Sequence, residues 1–163
     1  GEVESSERVL QIFLDNTSRF RSILGTYVGT QEDEAIRVFR AQVIAALPKM
    51  NSEEKGIAVR ALYLAGLIQE PQPKLSISGA DLSEANLSGA ILPKVCLFNV
   101  YLSHADLRGA DLTDGSLKWA NIIGTRFDGA RLDGVVVVGN EIEDAGLDPT
   151  YLRSLGASIR RPD

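Results

Sequence analysis

Two single side chains in this sequence could do chemistry, a histidine and a cysteine. His104 is the only histidine, so a general base or metal ligand there would act without a second imidazole. Cys96 is the only cysteine, which excludes an internal disulfide, and no basic cluster surrounds it that would favour a thiolate. We interpret both as ordinary residues, because each lacks the partner that its chemistry needs.

Serine and aspartate side chains recur in the second half of the chain without forming a catalytic set. The serines have no base partner, and the aspartates alternate with Arg108, Arg126 and Arg131. Because calcium sites need several uncompensated carboxylates at one point, we interpret these acids as members of salt-bridged surfaces. Nucleotide-binding loops and metal-ligand spacings are also missing from the sequence. We therefore expect no enzyme, no metal, no cofactor and no small-molecule substrate.

The net charge of −5 limits the kinds of partner that the protein can bind. Residues 75–144 hold ten acidic and five basic side chains, so this segment accounts for the whole surplus. Nucleic-acid binding needs clustered Lys and Arg, and we expect no nucleic-acid partner. Stretches of about 18 apolar residues, the length of a membrane span, are missing. Since residue 1 is Gly1, we expect a longer natural chain, cytoplasmic or tethered through an anchor upstream of Gly1.

A five-residue period organises the segment 75–144. Every fifth residue from Ile77 to Ile142 is large and apolar, and the residue two positions earlier is mostly small. A period of five is neither the 3.6 of an α-helix nor the 2 of a strand. It predicts a chain that turns a corner every five residues, with one large and one small side chain inward per side. The β-branched run 135–138 and Asn140 depart from the pattern and predict the end of the coil.

The repeated unit carries a resemblance to a known family. Residues 80–84 read ADLSE and residues 105–109 read ADLRG, and these units resemble the A(D/N)LXX motif of the pentapeptide-repeat family. In that family four units make one coil. The resemblance implies an α+β protein with a short right-handed quadrilateral β-helix of about 3.5 coils. Residues 60–68, RALYLAGLI, followed by LSISGADL, are similar to a cyanobacterial-type subgroup with a helical segment ahead of the repeats.

Both open ends of such a coil need caps, because they expose unpaired backbone and leucine side chains. Apolar stripes predict three helices, over 5–24, from Thr30 to Pro48, and from Asn51 to Gly66. In the third helix, Ile57, Ala61, Leu62 and Ala65 are predicted to face inward. A short helix over 150–155, with Tyr151 inward, would cap the other end. The expected organisation is an N-terminal helical segment at 1–70, juxtamembrane in the full protein, the β-helix at 75–144, and a C-terminal cap at 145–163.

Stacking the units that begin at 75, 95, 115 and 135 collects apolar outward residues on one wall. This aromatic wall consists of Cys96, Phe98, Trp119, Val136 and Val138. The facing wall is polar, with Asn86, Asp106, Arg108, Arg126 and Asp128. Exposed aromatic clusters usually mark an interface. Two alternatives stay open, because the flanking helices could cover the aromatic wall or a protein partner or second copy could bind it.

These observations favour a non-enzymatic interaction or scaffold module with an unknown protein partner. A second hypothesis follows from the resemblance, since some family members inhibit or protect DNA gyrase by imitating duplex DNA. Duplex DNA carries one charge per about 1.7 Å, so a rod of about 17 Å would need about ten negative charges. The repeat segment has a net charge of −5, which disfavours this alternative. Enzymatic activity is the least favoured of the three hypotheses.

Overall fold

The computed structural model describes residues 5–26, 30–139, 142 and 146–162, without the side chains of residues 30–32. Asn140 lies outside the described residues. None of the helices in the described ranges is long and apolar enough to cross a membrane. The elements in chain order are α1 (Ser6–Ile23), α2 (Thr30–Ala46), a 3-10 turn (Leu47–Lys49), α3 (Ser52–Leu64), β1 (Val136–Val138), α4 (Pro149–Ser154) and β2 (Ser158–Arg160).

The helices begin where the sequence offers caps. The Ser5 side chain accepts a hydrogen bond from the Arg8 amide at the start of α1. Asn51 and Glu54 form a reciprocal capping box at the start of α3. The buried face of α1 follows the helical period, with Val9, Phe13, Thr17 and Phe20. Phe20 stacks on Phe39 of α2 at a centroid distance of 4.3 Å, which joins the first two helices.

The repeat segment winds into a coil in which residues twenty positions apart pair in parallel. Asp81 bridges Tyr101, which bridges Asn121, and equivalent bridges follow at each later unit. Twenty residues are four units of five, so four units separate stacked residues. Every member of the large apolar column, from Ile77 to Ile142, is buried, and the predicted register is confirmed. Burial of this column supplies the main apolar stabilisation of the coil.

Each unit turns its corner at the last position with a left-handed backbone. Seven glycines from Gly79 to Gly139 have positive φ there, and six other residues adopt φ between 55° and 65° at the same position. These six are Glu84, Lys94, Asn99, His104, Asp114 and Trp119. Outward Asp and Asn side chains accept hydrogen bonds from the backbone just before each corner. For example, the Asp106 carboxylate accepts a hydrogen bond from the Arg108 amide. The same bond recurs at Asp81, Asn86, Asp111 and Asn121.

The start of the coil differs from the predicted stacking. Ser76 is not bridged to Cys96, and the segment before the repeats takes that place instead. The Cys96 amide donates to the Ile68 carbonyl at 2.7 Å, and the Glu70 amide donates to the Lys94 carbonyl at 2.6 Å. Gln69 and Val95 pair antiparallel, so this piece runs against the direction of the coil. The assignment of the unit at 75 to the aromatic wall is therefore only partly right.

Candidate interaction surface

Side chains of the helices close the N-terminal end of the coil. In later coils each outward carbonyl accepts a hydrogen bond from an amide of the preceding coil. The first coil has no preceding coil, so its outward carbonyls need other donors. The Arg60 guanidinium donates to the carbonyls of Asn86 and Ser88, at 3.2 and 3.3 Å. Lys55 donates to the Ser83 carbonyl at 3.0 Å. These donors satisfy backbone oxygens that would otherwise be buried unpaired, which is costly.

Further donors extend the same seal around the first coil. Arg40 of α2 donates to the carbonyls of Ser76 and Ser78, and the Tyr63 hydroxyl donates to the Pro93 carbonyl at 2.8 Å. The helices therefore act on the end of the coil, where they replace a missing turn of backbone donors.

The inward face of α3 is consequently not the predicted one. Ile57 is 43% exposed, while Lys55 and Gly56 are buried. The physical reason is that α3 meets two surfaces: its start lies on the polar backbone edge of the coil, whereas Ala58, Val59 and Leu62 pack into the apolar core. Gly56 lies so close to the first coil that a Cβ there would come 2.0 Å from the Asn86 carbonyl oxygen. Of the predicted residues, Leu62 is buried and Ala61 and Ala65 are partly buried, while the buried Ala58 and Val59 were not predicted.

The two rings of the aromatic wall remain open to solvent. Phe98 is 42% exposed and Trp119 is 49% exposed, whereas Cys96, Val136 and Val138 are partly buried. The bridges Cys96–Ser116 and Ser116–Val136 place these residues on consecutive coils of one wall. The indole of Trp119 lies over Gly139, whose added Cβ would come 2.0 Å from the ring.

The alternative that the protein's own helices cover these rings finds no support in the described residues. The helices α2 and α3 donate to the end of the coil, and α4 reaches the polar wall instead. There the Tyr151 hydroxyl donates to the Asp128 carboxylate at 2.6 Å. The C-terminal end closes through β2, which pairs in parallel with β1, so Val136 lies beside Ser158 and Val138 beside Arg160.

Two exposed apolar residues next to the aromatic wall were missed by the sequence reasoning. Tyr101 is 52% exposed and Ile123 is 49% exposed, on the wall that follows across the corner marked by Trp119. Their outward register positions could be read from the repeat. Their proximity to the aromatic wall could not be read from the repeat, because the register shows which residues share a wall but not which residues meet across a corner.

The candidate catalytic groups are not brought together. His104 is exposed at a corner with φ of 58° and lies against Gly124. Burial raises the pKa of the Cys96 thiol to about 11, with the Glu70 carboxylate adding to the effect. The thiol is therefore protonated at neutral pH and a poor nucleophile. Across the described ranges, no group of three or more His, Cys, Asp or Glu side chains is placed to hold a metal ion.

Ion pairs occupy the walls away from the aromatic residues. Arg108 contacts Asp106 at 2.8 Å, and Arg131 contacts Asp111 at 3.8 Å. The hydrogen bond from the Arg108 side chain holds the pKa of Asp106 below its ordinary value. For Asp111, hydrogen bonds from Thr113 lower the pKa in the same direction. Pairing of this kind dilutes the negative field that a duplex-DNA mimic would need.

The segment that forms the coil matches a known family. The family model described as Pentapeptide repeats matches residues 76–103 and 101–136, in 8 copies. Residues 76–136 belong to the pentapeptide-repeat family. Proteins of this family form right-handed β-helices and are generally non-catalytic. The pentapeptide-repeat segment is preceded by helices α1 to α3, as the resemblance implied.

Two solved structures that are similar to the chain are cyanobacterial pentapeptide-repeat proteins. One is the protein Rfr23 from Cyanothece 51142, with 30% identity over 53% of this chain and a TM-score of 0.40. This chain spans 56% of that protein's length. Another, from Nostoc Pcc 7120, has 20% identity and a TM-score of 0.39, covering 64% of this chain and 94% of its own. A search of curated protein sequences finds no match.

Proposed function

We propose that this pentapeptide-repeat protein is a non-enzymatic interaction module that presents its aromatic wall to a protein partner. The observation that carries the proposal is the exposure of Phe98 and Trp119 on a rigid wall that the described helices leave open. Large aromatic side chains on a fixed backbone lose little conformational freedom on binding and bury much apolar area. Tyr101 and Ile123 extend the same surface across one corner.

The proposed organisation follows from the position of the caps. A helical segment at 1–70 closes one end, the pentapeptide-repeat coil at 75–144 makes about 3.5 turns, and residues 145–163 close the other end. Support for this division comes from the side-chain donors at the first coil and from the pairing of β1 with β2 at the last. Both ends are engaged, so the side walls are the surfaces left for recognition.

The test is site-specific photo-crosslinking in an extract of the organism that makes the protein. A benzoylphenylalanine placed at Phe98 is expected to give a discrete crosslinked product. The matched control places the same group at Ile91, which is 74% exposed on a different wall. The proposal predicts a product from position 98 that is lost when Trp119 is replaced by Ser. Equal products from both positions, or none from position 98, would contradict it.

A further inference from the structure

A column of alternating apolar and cationic side chains runs along the aromatic wall. The column is formed by the residue that follows each large inward residue of this wall. Hydrogen bonds fix the stacking, from the Asn99 amide to the Lys118 carbonyl and from the Trp119 amide to the Val138 carbonyl. Arg160 follows, since it pairs with Val138 in the register of β1 and β2. From the N-terminal end, this recognition column consists of Phe98, Lys118, Val138 and Arg160.

The two cations of the recognition column differ from Arg108 and Arg131, which lie on other walls and form ion pairs. Arg108 contacts Asp106 of its own coil, and Arg131 contacts Asp111 of the preceding coil. Among the described residues, neither Lys118 nor Arg160 makes an ion pair. The recognition column itself contains no acid. Phe98 and Arg160 are exposed, and Lys118 and Val138 are partly exposed. A row of apolar groups with unpaired cations between them is complementary to carboxylates spaced between apolar groups.

The spacing of the column points to the shape of its partner. Stacked strands lie about 4.8 Å apart, so the four positions span about 14 Å, with the apolar pair about 10 Å apart. A helix rises about 1.5 Å per residue, so positions i, i+3, i+7 and i+10 span about 15 Å along one face. Apolar residues at i and i+7 would meet Phe98 and Val138. Carboxylates at i+3 and i+10 would meet Lys118 and Arg160.

We infer that the aromatic wall binds an acidic amphipathic helix, laid along the coil axis with apolar residues at i and i+7 and carboxylates at i+3 and i+10. This inference rests on the proposed function and specifies the class of partner. Trp119 lies at the corner beside the column, so the bound helix would shield its indole from water. Because Trp119 is the only tryptophan, its fluorescence reports on this site alone.

The experiment titrates the full chain with helix-stabilised peptides while Trp119 emission is recorded. The matched peptide carries Leu at i and i+7 and Glu at i+3 and i+10 in an Ala/Gln background. One control peptide has Lys in place of Glu. Another has the same composition, with both glutamates moved to the opposite helical face. The matched peptide is expected to shift the emission to shorter wavelength in a saturable manner, at least tenfold more tightly than either control.

Charge-reversed protein variants test the pairing itself. Lys118→Glu combined with Arg160→Glu is expected to weaken binding of the matched peptide at least tenfold and to strengthen binding of the Lys peptide. Arg126→Glu combined with Arg153→Glu is the control, because it makes the same change of charge at two exposed side chains outside the recognition column. Far-ultraviolet circular dichroism establishes that each variant is folded before it is titrated.

Three results would overturn the inference. The first is no response to the matched peptide up to about 1 mM, the weak limit of specific binding. The second is equal binding of the face-shifted peptide. The third is a concentration-dependent blue shift without peptide, which assigns the wall to a second copy of the chain. A natural partner that crosslinks at Phe98 but binds equally well to the charge-reversed variant would leave the proposed function standing and this inference refuted.

Discussion

Replacing Gly56 by alanine tests whether α3 is held against the first coil by close backbone contact. In an exposed helix this change stabilises the protein by about 1 kcal/mol, because alanine is the better helix former. Here the new Cβ would lie 2.0 Å from the Asn86 carbonyl oxygen and 3.0 Å from the Arg60 guanidinium. The obstacle is backbone, which cannot rotate away, so α3 has to move outward.

The expected cost follows from what that movement breaks. Arg60 would lose its hydrogen bonds to the carbonyls of Asn86 and Ser88. The hydrogen bond from the Asn86 amide to the Ser52 carbonyl would also break. Overpacking costs about 1–3 kcal/mol, and a hydrogen bond to a charged group contributes about 1.5–3 kcal/mol. Partial relaxation and the gain in helix propensity offset part of this sum. We expect a net loss of about 2–4 kcal/mol in the free energy of unfolding.

Urea unfolding followed by circular dichroism measures this free energy directly. Ile57→Ala is the matched control, because Ile57 is adjacent in sequence and its side chain is exposed. It is expected to change stability by less than about 1 kcal/mol. The decisive feature is the sign for Gly56→Ala. A gain in stability would refute the close packing of α3 on the coil, since helix propensity alone would then account for the result.

Three further predictions concern the cap, the corners and the ion pairs. Arg60→Met keeps most of the side-chain volume but removes both donors, and should lower the free energy of unfolding in urea by about 2 kcal/mol. Gly139→Ala introduces a Cβ beneath the Trp119 ring and should shift the emission of that residue as well as lower the melting temperature. Asp106→Asn should lessen the loss of melting temperature on acidification, because the pKa of Asp106 is lowered in the folded state by Arg108.

The structure gives the direction of the pH effect, and each of the three variants has a result that would contradict the prediction. A depressed carboxyl pKa contributes stability above the ordinary value of 3.8, and that contribution disappears as the pH falls below it. An unchanged acid profile for Asp106→Asn would show that this pair contributes nothing measurable. Gly134→Ala, which meets Asp114 instead of Trp119, should leave the emission unchanged. If Arg60→Met had the stability of the wild type, water would satisfy the carbonyls of the first coil as well as Arg60 does, which would contradict the prediction.

The interior of the coil was predictable from sequence because one rule governs it. Each inward position contacts the same positions of neighbouring coils, so a period of five identifies Leu82, Leu87 and their equivalents as core. The corner residues were predictable for the same reason. Even Thr125 follows the rule, since it is buried and its hydroxyl donates to the Leu102 carbonyl at 2.8 Å.

The interfaces between unlike elements were not predictable in this way. At its start α3 buries Lys55 and Gly56 against carbonyl oxygens of the coil, and apolar patterning does not detect a contact of that kind. The segment that takes the place of Ser76 beside Cys96 lies outside the repeat, so periodicity could not locate it. The aromatic wall was predicted by register, but its extension to Tyr101 and Ile123 required the geometry of the corner.

The most direct test of the account measures how accessible Trp119 is in the free protein. The proposed function requires the aromatic wall to be open. Because Trp119 is the only tryptophan, acrylamide quenching reports on this wall alone. We predict emission at long wavelength and a quenching constant about half that of free tryptophan, unchanged on dilution. Short-wavelength emission with little quenching at the lowest protein concentration would mean that the chain covers its own wall. That result would contradict the proposed interaction surface.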